Sequence, residues 1–224
     1  MKKTEDTVKK EARNNTTELV FILDKSGSMA GLESDTIGGF NGFVDNQRKT
    51  DGECFVTTVL FSDGNTIIHD RIPLSEVPKM TDKEYFVGGC TALVDAIGDT
   101  INHIAEIHKY ARPEDVPAHT VFVITTDGLE NASREFDYKK LRKLIEAQKE
   151  AGWEFLFIGA NIDAIGEAAK VGIGADRAVN YHSDSAGTAA VFRAMAEPIR
   201  AMRQSRAVKA DWCCEIDADN ARRK

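Results

Sequence analysis

Short apolar runs alternate along this chain with stretches of helical period, and that alternation sets the expected fold. Leu19-Val20-Phe21-Ile22-Leu23 is continuously apolar and stops at Asp24, the pattern of a central strand buried on both faces. Over 34–48, Ile37, Phe40, Val44 and Gln47 recur at helical spacing, which predicts a helix weakened by Gly38, Gly39 and Gly42. Two β-rich runs, 54–61 and 66–72, flank Ser62-Asp63-Gly64-Asn65, a composition suited to a hairpin turn. An irregular stretch then ends in Gly88-Gly89-Cys90-Thr91, where two glycines permit backbone conformations closed to other residues.

Beyond that loop, Leu93, Ile97, Ile101, Ile104 and His108 keep helical spacing, and Pro113 and Pro117 bar its continuation. A second buried strand at 120–126 ends at Asp127. The alternation then repeats as a helix at 137–151, a strand at 153–158, a helix at 163–170, a short strand at 178–181 and a helix at 185–205 interrupted at Pro198. Strands alternating with helices imply right-handed crossovers. The expected fold is therefore α/β, a Rossmann-like doubly wound and mostly parallel sheet with one antiparallel edge strand and helices on both faces. Residues 1–16 read as a polar leader, 17–206 as one domain and 207–224 as a tail.

Composition narrows the function classes. The 29 basic and 36 acidic residues give a net charge of -7, which disfavours nonspecific attraction to nucleic acid or an anionic membrane. No segment approaches the ~20 apolar residues needed to span a bilayer. The lysine-rich start is followed by no apolar core or cleavage site, so the expected location is the cytoplasm. Cys54, Cys90, Cys213 and Cys214 show no zinc-site spacing, and reduced thiols are expected.

The candidate chemistry lies at the strand exits. Asp24-Lys25-Ser26-Gly27-Ser28 follows the first buried strand, Thr91 follows the Gly88-Gly89 loop, and Asp127-Gly128 follows the second buried strand. In doubly wound folds, ligands sit beyond the carboxyl ends of the strands. Three segments thus bring oxygen donors to one sheet edge. Magnesium takes near-octahedral oxygen coordination and keeps several waters, so a few hydroxyls and carboxylates suffice to hold it. Taken singly, Ser-Gly-Ser after a strand reads as a turn and Asp24 as a helix cap.

The ordered set Asp24-Lys25-Ser26-Gly27-Ser28-Met29, Gly89-Cys90-Thr91-Ala92-Leu93 and Thr126-Asp127-Gly128 resembles the von Willebrand factor A family over about residues 17–206. That family's metal-ion-dependent adhesion site (MIDAS) has the pattern D-x-S-x-S, a loop threonine and a later aspartate. The resemblance implies that Ser26 and Ser28 ligate directly, Thr91 ligates in the ligand-competent form, and Asp24 and Asp127 act directly or through water. Magnesium is the expected ion, with manganese or calcium as alternatives. Neutral hydroxyl ligands leave an ion electrophilic toward an added carboxylate. The implied function is noncatalytic: binding a protein partner that supplies an Asp or Glu carboxylate. A regulatory or scaffold subunit of an ATPase-linked or stress-response complex is the alternative, and a magnesium-dependent hydrolase a lesser one.

Other chemistries fit less well. Ser26 stands where a haloacid-dehalogenase-like phosphatase would need its second aspartate, and no phosphate-binding loop is present. Among five histidines, none has spacing that marks it as a base for a nucleophilic serine, and His103 and His108 read as helix-surface residues. Arg193, Arg200, Arg203 and Arg206 read as the solvated basic face of the last long helix. Glu33, Asp63 and Glu130 read either as tuning groups near the site or as solvated loop charges.

Overall fold

The computed structural model describes residues 15–204 and 212–222. Most of the leader, Arg206 and part of the tail lie outside the described residues. The elements run β1 (Thr17–Asp24), α1 (Glu33–Gln47), β2 (Cys54–Phe61), β3 (Asn65–Pro73), α2 (Leu93–Tyr110), β4 (His119–Thr126), α3 (Tyr138–Glu150), β5 (Glu154–Ala160), α4 (Ala164–Lys170), β6 (Ala178–Tyr181), α5 (Ser185–Arg203) and α6 (Cys214–Arg222). They form one six-stranded sheet in the order β3-β2-β1-β4-β5-β6. Every pairing is parallel except β2 with β3, as the sequence predicts.

β1 is apolar on both faces because each face meets its own core. Leu19, Phe21 and Leu23 point into a cluster shared with α1, α5 and α6, while Val20 and Ile22 point into one shared with α2, α3 and α4. β4 and β5 divide the same way, with Val123 and Leu156 on the first side and Phe122 and Phe157 on the second. From β1 the chain moves outward through β2 and β3, then crosses to β4 on the other flank of β1. That reversal opens a crevice at the carboxyl ends of β1 and β4.

Four sequence expectations require correction. The helix through Pro198 is not interrupted: α5 is continuous from Ser185 to Arg203. Pro198 lies on its buried face among Ala194, Met195, Ile199 and Met202, and buried Gln47 of α1 donates to the Ala196 carbonyl (2.8 Å), so packing outweighs the missing backbone donor. Arg203 is not solvated but 1% exposed. Its guanidinium donates to the carbonyls of Gln47 (2.7 Å), Thr50 (3.2 Å) and Gly52 (2.9 Å), satisfying acceptors left where α1 ends.

His108 is likewise drawn inward, lying edge-on to Trp153 and 3.6 Å from the buried Glu18 carboxylate. The stretch read as a polar tail contributes to the core, since Trp212 and Ile216 join the α1, α5 and α6 cluster. Gly39, read as a helix-weakening residue, allows α5 to approach α1, because a Cβ there would overlap the Phe192 ring.

Candidate metal centre

The exit of β1 builds the floor of the site. Asp24 is fully buried, and both carboxylate oxygens are engaged: Oδ1 accepts from the Ser26 amide (2.7 Å) and Oδ2 from the Thr126 hydroxyl (2.6 Å). Below it, Tyr85 donates to the Asp24 carbonyl (2.5 Å). Ser26 opens a single 3-10 turn, Gly27–Met29, anchored by buried Met29. That turn brings the Ser26 and Ser28 hydroxyls to 3.0 Å of one another, the first buried and the second open to solvent.

Two further segments close around this turn. Gly27 donates to the Gly89 carbonyl (3.1 Å) and Gly88 to the Lys25 carbonyl (2.9 Å), stitching the glycine loop to the β1 exit. Gly89 has φ +80, and a Cβ there would overlap the Asp63 carboxylate, which accepts from the Cys90 amide (2.8 Å). Thr91 is 3% exposed and clamped by Asn131: its amide donates to the Asn131 side chain (2.9 Å), and its carbonyl accepts from the Asn131 amide (3.0 Å). Glu130 accepts from the amides of Val94, Ala132 and Ser133, so it ties the start of α2 to the loop after β4.

Gly128 sits where the donors converge. A Cβ on it would lie 3.1 Å from the Thr91 hydroxyl and 3.3 Å from that of Ser28. The missing side chain leaves a cradle between hydroxyls from two different loops. Asp127 is 3% exposed; its Oδ2 accepts from Ser183 (3.2 Å), and its Oδ1 is buried with no partner among the described residues.

The electrostatics of this arrangement favour a cation. Burial raises the Asp24 pKa against the opposing hydrogen bonds from Ser26 and Thr126, and the Asp127 charge raises it further. Burial also pushes the Tyr181 phenol up, with Asp127 and Asp24 adding to the effect. Two low-exposure carboxylates thus share one crevice, and among the described residues neither has a Lys, Arg or His within salt-bridge distance. Unpaired buried negative charge is costly, and a bound cation would offset it.

The donor set suits a hard, oxygen-binding ion: two carboxylates and three hydroxyls, with an orphaned carboxylate oxygen and a space beside the hydroxyls. Among the described residues no three His, Cys, Asp or Glu side chains gather as a metal-binding group, because hydroxyls make up most of this one. Ser26, Ser28, Thr91 and Asp127 could hold the ion directly. Asp24, with both oxygens already engaged, is placed to act through its neighbours or through water.

No protein-family profile and no curated protein matches the sequence. Solved structures do match its fold. The von Willebrand factor domain of the type V pilus tip protein Mfa5 from Porphyromonas gingivalis superposes with a TM-score of 0.63 at 12% identity, over 88% of this chain and 99% of that one. Proximal thread matrix protein 1 from the mussel byssus, with a zinc-occupied MIDAS motif, superposes at 0.58 and 15% identity, over 84% of this chain and 46% of that one. This chain has a von Willebrand factor A fold. A von Willebrand factor type A protein from Catenulispora acidiphila gives 0.56 at 17% identity, over 82% and 42%. The chain spans less than half the length of the mussel and Catenulispora proteins.

Within the von Willebrand factor A fold, all five residues singled out from sequence stand at the carboxyl edge of β1 and β4. Sequence reasoning named Thr126 in the motif without giving it a role, and missed Asn131 and Ser183. Thr126 was within reach, being the last residue of a predicted strand beside a candidate ligand. Asn131 and Ser183 gave no local signal, since their roles depend on how distant loops close.

Proposed function

We propose that this von Willebrand factor A fold is a noncatalytic module that holds a divalent cation, magnesium foremost, at Ser26, Ser28, Thr91 and Asp127, and uses it to grip a carboxylate of a protein partner. When bound, the ion supplies an electrophilic centre to which an Asp or Glu side chain adds. The observation that carries this reading is the buried Oδ1 of Asp127, without a partner among the described residues, beside a Gly128 cradle flanked by the Thr91 and Ser28 hydroxyls. Exposed Ser28 marks the open side, where a partner would approach.

The chain's own residues have distinct tasks in this scheme. Thr126 and the Ser26 amide fix Asp24, Asn131 fixes Thr91, and Ser183 fixes Asp127. Among the described residues no helix is long and apolar enough to cross a membrane.

Calorimetric titration with Mg²⁺ and Mn²⁺ tests the site. Wild type is expected to bind, and the Ser26→Ala/Ser28→Ala double variant to lose at least tenfold in affinity. Equal binding by the two proteins would overturn the assignment. Turnover of generic phosphatase or esterase substrates that is lost in Asp24→Ala would overturn the noncatalytic reading.

A further inference from the structure

The opposite edge of the sheet holds a second concave site that the metal reading does not use. A shallow surface cavity of about 970 Å³, wide open to solvent, lies beside β3 and the C-terminal half of α2, lined by Arg71, Asn102, His103, Glu106, Lys109 and Tyr110, among others. Its most constrained wall residue is Arg71. The β2–β3 register shifts on either side of Thr58, and Arg71 takes φ 49, a left-handed conformation uncommon for a residue with a side chain. Its amide donates to the Thr57 hydroxyl (3.1 Å).

The side chain is fixed as firmly as the backbone. Nε donates to Glu18 (2.7 Å), whose carboxylate is fully buried on the central strand β1, and the guanidinium lies 5.0 Å over the Phe55 ring. Nε is the only side-chain donor of Arg71 with a protein acceptor among the described residues, and the side chain keeps 23% exposure. Held backbone strain together with a buried counter-charge marks a residue that the fold positions at some cost. What remains free is the outer edge of the guanidinium, a planar fork suited to bidentate oxyanions.

The other walls add polar groups. Lys109 is exposed, with its ammonium 5.0 Å over the Tyr110 ring. His103 pairs with Asp70 (2.9 Å), and Glu106 is the carboxylate among the lining residues. Two permanent cations at one concavity contrast with the chain's net charge of -7.

We propose that this cavity binds a small ligand through a carboxylate or phosphate oxyanion, held bidentately by Arg71 and supported by Lys109. The site is independent of the metal. The test therefore uses ¹⁵N-labelled full-length protein without divalent cation, titrated with inorganic phosphate and separately with acetate, against sodium chloride at matched ionic strength. Saturable amide shifts confined to residues 69–71 and 102–111 are expected with at least one of the two anions, and which anion saturates assigns the ligand class. Arg71→Lys keeps the charge but loses the fork, and is expected to weaken binding about tenfold. Lys109→Ala, at an exposed position near the end of α2, is expected to weaken it about threefold and decides the matter if Arg71→Lys does not fold. Shifts that match chloride, or affinity unchanged in Lys109→Ala and in folded Arg71→Lys, would overturn the proposal.

Discussion

At the scale of single residues, the candidate centre depends as much on a missing side chain as on the donors themselves. A methyl at position 128 would press between the Thr91 and Ser28 hydroxyls, 3.1 and 3.3 Å away, in the space an ion would use. Gly128→Ala is therefore expected to lower Mg²⁺ affinity at least about tenfold while changing the metal-free unfolding free energy by no more than ~1 kcal/mol. Calorimetry paired with urea unfolding separates the two effects. Loss of stability with metal affinity intact would show that Gly128 serves the loop rather than the cradle. Cys90, beside Thr91, is exposed, and the neighbouring Asp63 carboxylate raises its thiol pKa, which opposes formation of a reactive thiolate.

At the scale of elements, the strands were the most legible part of the sequence, because a strand buried on both faces leaves an uninterrupted apolar run, as β1 and β4 do. Asp24, Ser26, Ser28 and Asp127 were legible because they follow those runs, and Thr91 because it follows the Gly88-Gly89 loop. Contacts made between elements were not. Arg203 reads as a surface cation, since helical periodicity cannot report that the carbonyls of Gln47, Thr50 and Gly52, at and just past the end of α1, converge on its guanidinium. Arg203→Met is expected to destabilise the fold by about 2–4 kcal/mol, by stranding the Thr50 and Gly52 carbonyls at the α1–α5 junction. A shift in the urea midpoint with an unchanged m-value would bear this out, whereas wild-type stability would mean the carbonyls find water instead. Trp212 and Ile216 escaped notice for a related reason: two apolar residues in a charged stretch give no period, yet both find the core.

At the scale of the whole molecule, stability should depend on pH through a histidine remote from the metal edge. His69 is buried, stacks on Phe40 (5.9 Å) and pairs with the Thr58 hydroxyl (3.0 Å). Burial lowers its pKa, partly opposed by the Glu84 charge. The unfolded chain, with an ordinary histidine near pH ~6.5, then binds the proton more readily than the folded one. The stability His69 contributes is present above that pH and is lost as pH falls toward the lower folded value. Unfolding free energy should decline as pH falls below about 6.5, and His69→Gln should flatten that slope. The same β3 strand has a further consequence, for how copies of the molecule meet. As an edge strand it presents unpaired backbone groups that could template the strand of another copy. The register shifts around Thr58 and the left-handed turn at Arg71 break its regular pleat, so the edge that completes this sheet is a poor template for fibrous aggregation.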